Sequence, residues 1–161
     1  MLLAGQGLTD GALTDSQAYD IFKTAFDAAD LTGKSVLVLI PDATRSCPLP
    51  MLFRHMVDIL APKVARLDFL IALGTHQPMT EQQIGKLLGI SPEDRAGKYK
   101  NIGIFNHEWD KDGTFETIGT IPAERIAEIT SGLMRQDVNI GTNRMILDYD
   151  QLMILGPTYP H

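Results

Sequence analysis

Arg45 sits in a loop with Asp42 and Thr44, bracketed by Pro41 and Pro48. Such a loop is stiff enough to present a guanidinium fork at a fixed position, and the natural guest of that fork is a carboxylate or phosphate. The same spacing admits a plainer reading, in which Arg45 pairs with Asp42 to close the turn, or Asp42 caps the turn through its own side chain. His76 stands two residues after Gly74 and two before Pro78. It is a ring able to exchange protons near neutral pH in a tight setting, with a purely structural histidine as the alternative. His107, in Asn106-His107-Glu108, is either a general base or a loop histidine bonded to backbone, and His161 is the last residue. His55 lies among polar neighbours in a helical stretch, where a surface or partly packed role is expected. Cys47 reads as a small buried side chain, and Trp109 as one that packs under its loop. No pair of these residues has metal-ligand spacing such as H-x-x-x-H or C-x-x-C, so no complete metal site is expected in the chain. Hydrolysis is poorly supported, because no Ser or Cys nucleophile is paired with a histidine in a recognisable motif.

These residues need elements to position them, and the sequence supplies a succession of apolar runs, each followed by a polar loop. SVLVLIPD (35–42) is a β-branched and aliphatic run without polar alternation, the pattern of a strand covered on both faces. After the loop ATRSCPLP, the stretch MLFRHMVDILAPKV lines Leu52, Met56, Ile59 and Leu60 along one helical face. The unit repeats as the strand DFLIALG, the loop THQPM and the helix TEQQIGKLLG, with Thr80 as N-cap and Gln83 at the third helical position. Upstream, Ala18, Ile21, Phe22, Ala25 and Ala28 predict a helix over 15–29 with Asp15 as its N-cap. Downstream, a charged stretch (EDRAGKYK) leads to a third strand at Ile102, Ile104 and Phe105, followed by the loop NHEWD. TFETIGTI reads as an extended segment, PAERIAEITSGL as a helix, DVNIGTN as a short strand and Leu152–Leu155 as a last strand before GPTYPH. The βαβα order predicts an α/β fold with an open, mainly parallel, three-layer, Rossmann-like sheet in a single domain over 1–161. Ligands bind outside the carboxyl ends of such strands. The four loops after the strands carry Arg45 and three of the four histidines, His76, His107 and His161, to one expected edge. The last strand is followed by six residues rather than by a covering helix, which suggests a fragment of a longer protein.

Composition narrows the function. Fourteen Lys and Arg stand against twenty Asp and Glu, for a net charge of −6, and the cations form no patch that could follow a phosphate backbone, so nucleic acid is not an expected partner. No strictly apolar run exceeds five residues, as at Val36–Ile40, far short of the roughly 20 that span a bilayer. The single Cys47 demands no oxidising compartment, and the cytoplasm is the default. Neither a G-x-G-x-x-G nor a G-x-x-x-x-G-K-[ST] loop is present.

The loops PDATRSCP, ALGTHQPMT, FNHEWD and ILGPTYPH, in this order between about Val36 and His161, together resemble the N-terminal domain of the lactate racemase family, the nickel-pincer-nucleotide enzymes. The resemblance implies that His76 and His161 are the catalytic acid/base pair and that Arg45 binds the substrate carboxylate. It further implies that Asp42, Thr44, Thr75 and Gln77 line the pocket. Gln77 replaces the arginine usual at that position, and the chain stops before the family's cofactor-tethering lysine and nickel-ligating histidine. The implied protein is thus part of a two-domain racemase or epimerase of 2-hydroxy acids, and this chain alone is not expected to retain the cofactor. Its expected partners are a small 2-hydroxy acid and the remaining part of the same protein. In that chemistry hydride transfer avoids a carbanion, and a histidine on each face of the substrate manages the hydroxyl proton. The competing reading is a non-catalytic α/β domain that holds an organic anion or nucleotide through the Arg45 loop.

Overall fold

A computed structural model describes residues 2–158, so the expected role of His161 lies outside the described residues. Helix α1 spans Asp15–Ala29, the range the sequence predicts, but its cap lies one residue earlier than expected. Thr14, not Asp15, is the N-cap, because a capping box requires a glutamine or glutamate three residues on, and Gln17 meets that condition. Thr14 Oγ1 accepts from the Gln17 amide at 3.2 Å, and Gln17 Oε1 accepts from the Thr14 amide at 2.9 Å. Strand β1 (Ser35–Ile40), helix α2 (Leu49–Leu60), strand β2 (Arg66–Ile71) and helix α3 (Glu81–Leu88) form the two expected units. Thr80 and Gln83 cap α3 reciprocally, as anticipated. The charged stretch after them contains a short helix that periodicity did not reveal, α4 (Pro92–Ala96), started by the Ser91 side chain. Strand β3 (Gly103–Asn106) follows, then β4 (Phe115–Ile121), α5 (Ala123–Ile129), β5 (Val138–Asn143), a 3-10 turn (Arg144–Asp148) and β6 (Gln151–Ile154). Helix α5 stops short of the reach expected for it, because Ser131 and Gly132 take positive φ.

Four strands make one open sheet in the order β3-β2-β1-β6, and every pairing in it is parallel. The antiparallel pairing falls elsewhere, on a separate two-stranded sheet of β4 and β5. Successive strand residues point to opposite faces. Val36, Val38 and Ile40 join Leu67, Phe69 and Ile71 in one hydrophobic cluster with Phe53, Met56 and Leu60 of α2, and with Ile84 and Leu88 of α3. Phe53 and Phe69 are both fully buried, with ring centroids 4.9 Å apart. The alternate positions Leu37 and Leu70 are also buried, and with them Asp68.

Asp68 is a charged side chain buried within a strand, and its carboxylate is fully engaged. It accepts from the Gly103 amide at 2.6 Å, from the Tyr149 hydroxyl at 2.6 Å and from Arg66 Nε. Arg66 in turn lies over the Tyr149 ring, 4.5 Å from its centroid. Burial, together with the Asp68 carboxylate, pushes the Tyr149 phenol up. Position 103 must be glycine for this closeness, since a Cβ there would meet Asp68 Oδ1 at 2.5 Å. The network ties β2, β3 and the approach to β6 together at the beginning of the strands, opposite the edge where the candidate site lies. Among the described residues no helix is long and apolar enough to cross a membrane.

Candidate functional site at the carboxyl edge

Because β1, β2, β3 and β6 run parallel, the loops that follow them leave the same edge. The ladder continues into each loop before the chain turns away. Ala72 N–H donates to Ile40 O at 2.8 Å, His107 N–H to Ile71 O at 3.1 Å, and Leu155 N–H to Leu39 O at 2.9 Å. Asp42 and His76, separated by 34 positions in sequence, therefore emerge side by side, and His76 Nδ1 lies 2.6 Å from Asp42 Oδ2.

The Asp42 side chain is 9 % exposed, whereas the His76 side chain is 59 % exposed. Asp42 Oδ1 takes both the Thr44 amide, at 2.9 Å, and the Thr44 hydroxyl. Burial pushes the Asp42 carboxyl up, but the hydrogen bonds from Thr44 and His76 outweigh it and leave the group below its ordinary value. An ionised carboxylate can only accept, so Nδ1 of His76 carries the hydrogen that it donates to Asp42. Nε2, the other ring nitrogen, has no hydrogen-bond partner among the described residues. The ring is held at one nitrogen and open at the other, as a proton-transfer group requires.

Of the two plainer readings of this loop, Asp42 does cap the turn through its own side chain, by way of Thr44, whereas the Arg45–Asp42 ion pair does not form. Asp42 is engaged by Thr44 and His76, and the Arg45 guanidinium has no ion pair among the described residues. Only the Arg45 backbone reaches Asp42, through its N–H to the Asp42 carbonyl at 3.4 Å. Arg45, Thr75, His76 and Gln77 are all exposed along the edge, with Thr44 beside them, so the site is an open surface rather than a closed cavity. A groove of about 730 Å³ lies between α3 and α4, lined by Ile84, Ile90, Pro92 and Arg95 among others, and contains neither member of the Asp42–His76 pair.

Two local features hold the His76 loop. Gly74 takes φ +61, a left-handed turn that a side chain would strain, and His76 N–H closes it on Leu73 O at 3.0 Å. At the far end, Asn106 accepts from the Met79 amide at 3.0 Å and donates to the Met79 carbonyl at 2.9 Å. Sequence reasoning passed over Asn106, although it is the last residue of β3 and adjoins His107. His107 shares the edge, and its Nδ1 is engaged by a side chain. Asn143 Oδ1 takes the Met145 amide at 2.9 Å, which turns its Nδ2 toward His107 Nδ1, also at 2.9 Å. Its ring stands perpendicular to Phe115 at 5.5 Å. His107 thus joins the loop after β3 to the β4–β5 pair, and its partner is a side-chain amide rather than the backbone group expected.

Three further residues depart from expectation. His55 is buried rather than at the surface, packed edge-on to Tyr19 at 5.3 Å. Its Nε2 is 3.3 Å from Asp15 Oδ1, yet poorly aligned, so it counts as an unsatisfied buried nitrogen. The polar neighbours misled because α1 covers that face of α2. Trp109 is 37 % exposed instead of packed under its loop, since the turn after His107 closes through backbone and Thr114 contacts that need no aromatic plug. Cys47 is half-buried, and burial pushes its thiol up.

Residues 16–151 match the family model of the lactate racemase N-terminal domain. Among curated proteins, none matches the chain. Among solved structures, a crystal structure of a protein from Thermotoga maritima superposes with a TM-score of 0.68 at 27% sequence identity. That likeness covers 88% of this chain and 33% of the other, so the chain spans about a third of the solved protein's length. With the family model spanning most of the sequence and the open parallel sheet in place, the chain belongs to the lactate racemase family, through its N-terminal domain.

Proposed function

We propose that this chain supplies the substrate-facing half of the active site of an enzyme that racemises or epimerises a 2-hydroxy acid. The observation that carries the reading is the Asp42–His76 pair, 2.6 Å apart at the carboxyl edge of the sheet, with Arg45 in the same loop as Asp42 and without an ion pair among the described residues. Asp42 holds Nδ1–H, so Nε2 of His76 is the atom that accepts the substrate hydroxyl proton as the reacting carbon is oxidised, and returns it on reduction. The Arg45 fork binds the carboxylate and fixes the reacting carbon, a positioning role that lowers barriers by several kcal/mol. Thr44, Thr75 and Gln77 flank the same surface, and Gln77 contacts the substrate's variable substituent. His161 acts as the second acid/base, on the opposite face of the planar keto acid.

Among the described residues no group of three or more His, Cys, Asp or Glu is placed to hold a metal ion. The donors present suit proton transfer and anion binding rather than metal ligation. The nickel-pincer nucleotide of the family, when bound, supplies the hydride acceptor, and on this reading its attachment falls to chain beyond these residues. Residues 1–161 then act as one α/β domain of a two-domain enzyme, working in the cytoplasm on a small 2-hydroxy acid.

The test is a chiral assay on lactate and related 2-hydroxy acids with the intact, nickel-loaded protein and its His76→Asn variant. Interconversion of enantiomers that disappears in the variant is the expected result. Turnover by His76→Asn equal to that of the parent would remove His76 from the mechanism. Binding of 2-hydroxy acids without interconversion in either protein would favour an anion-binding domain instead.

A further inference from the structure

The Gly74–Met79 loop that carries His76 is fastened to its neighbour strand by one side chain. Asn106 is the last residue of β3, in register with Ile71 at the end of β2. Its amide meets Met79 twice, accepting from the N–H at 3.0 Å and donating to the C=O at 2.9 Å. Both bonds together leave one orientation of the amide and span the peptide groups on either side of a single residue. Just beyond, Thr80 begins α3 with its capping box. The loop is therefore pinned where it enters α3, as it is pinned where it leaves β2 by Ala72 and His76 backbone bonds at 2.8 and 3.0 Å. The His76 side chain itself is more than half exposed and has one hydrogen bond among the described residues, to Asp42. A ring so exposed receives little steric guidance from packing, and its place over the edge depends on how firmly the loop backbone is held.

We propose that Asn106 is a positioning residue for His76, fixing the loop so that the imidazole meets Asp42 with Nε2 presented to substrate. The inference rests on the reading of His76 as the acid/base. Asn106 acts on the reaction only through the loop, since its amide is consumed by Met79. No aliphatic residue could replace it, and aspartate would keep the acceptor for the Met79 N–H but set a carboxylate against the Met79 carbonyl.

The test compares Asn106→Ala with Asn143→Ala in the intact protein, the second removing the neighbouring His107 clamp as a control for general loosening. Amide hydrogen exchange at Met79 and the nitrogen-15 signals of the His76 ring are read in both. In Asn106→Ala the Met79 amide exchanges about tenfold faster or more, as expected for a lost hydrogen bond, and the Nδ1–H signal of His76 moves toward that of a free imidazole. In Asn143→Ala both readouts stay at the parent values. In the chiral assay Asn106→Ala loses kcat with KM little changed. Unaltered Met79 exchange and His76 ring signals in Asn106→Ala would overturn the inference, as would equal changes in the Asn143→Ala control. Failure of the underlying reading shows separately, as full activity in His76→Asn whatever Asn106 does.

Discussion

Replacing Asp42 by Asn tests the site at its most constrained atom. The carboxylate accepts from the Thr44 amide at 2.9 Å, from the Thr44 hydroxyl and from His76 Nδ1 at 2.6 Å, and it is almost wholly buried. An asparagine oxygen can still serve Thr44, so that half of the arrangement survives. The other half reverses: the new amide donates to Nδ1, which must give up its hydrogen, and the ring moves to the Nε2–H tautomer. Hydrogen bonds to charged groups are worth about 1.5–3 kcal/mol. The His76 side faces water, which reduces its share to about 1 kcal/mol or less. Folding stability should therefore drop by only about 1–2 kcal/mol. The rate should suffer more, because Nε2 has lost the lone pair that takes the hydroxyl proton, and general acid–base catalysis contributes about 10²–10⁴-fold. The pH dependence follows from the lowered Asp42 pKa. Its contribution to stability is complete above the unfolded value of 3.8 and is lost as pH falls through the lower folded value. Asp42→Asn removes that acid-limb contribution. Chiral rate measurements, imidazole nitrogen-15 spectra and urea titrations at pH 7 and below 4 read the three effects. A variant that keeps the parent kcat, or whose His76 ring keeps the Nδ1–H tautomer, would refute the reasoning.

Arg45→Lys replaces a bidentate fork by a point charge, so KM for a 2-hydroxy acid should rise about tenfold or more while the fold is unchanged, as circular dichroism and steady-state kinetics would show. Gly103→Ala would drive a Cβ to 2.5 Å from both Asp68 Oδ1 and Phe105 Cε2. It should destabilise the protein by about 1–3 kcal/mol, the usual cost of overpacking, read as a fall in the urea midpoint; a loss under about 0.5 kcal/mol would mean the Asp68 network tolerates the intrusion.

Much of this protein was legible in its residues, because burial and periodicity are local properties. The unbroken runs Val36–Ile40 and Phe69–Ile71 announce strands covered on both faces, and Thr80 with Gln83 announces a helix start. The loops after the strands, with Arg45 and His76, were marked as the place for chemistry by the rule that parallel strands offer ligands their carboxyl ends. What the sequence could not decide is which side chains meet. Asp42 and His76 touch across 34 positions, and Asn106 and Met79 across 27. Both contacts exist because β2 lies between β1 and β3 in a fixed parallel register. Strand order is invisible to local pattern. For the same reason the alternative pairing of Arg45 with Asp42 could be dismissed only when the carboxylate was found already occupied, and His55 proved buried only once α1 lay across α2. Spacing says what a residue could bond within its own turn, whereas the tertiary register brings a second candidate from another strand and lets the better geometry win.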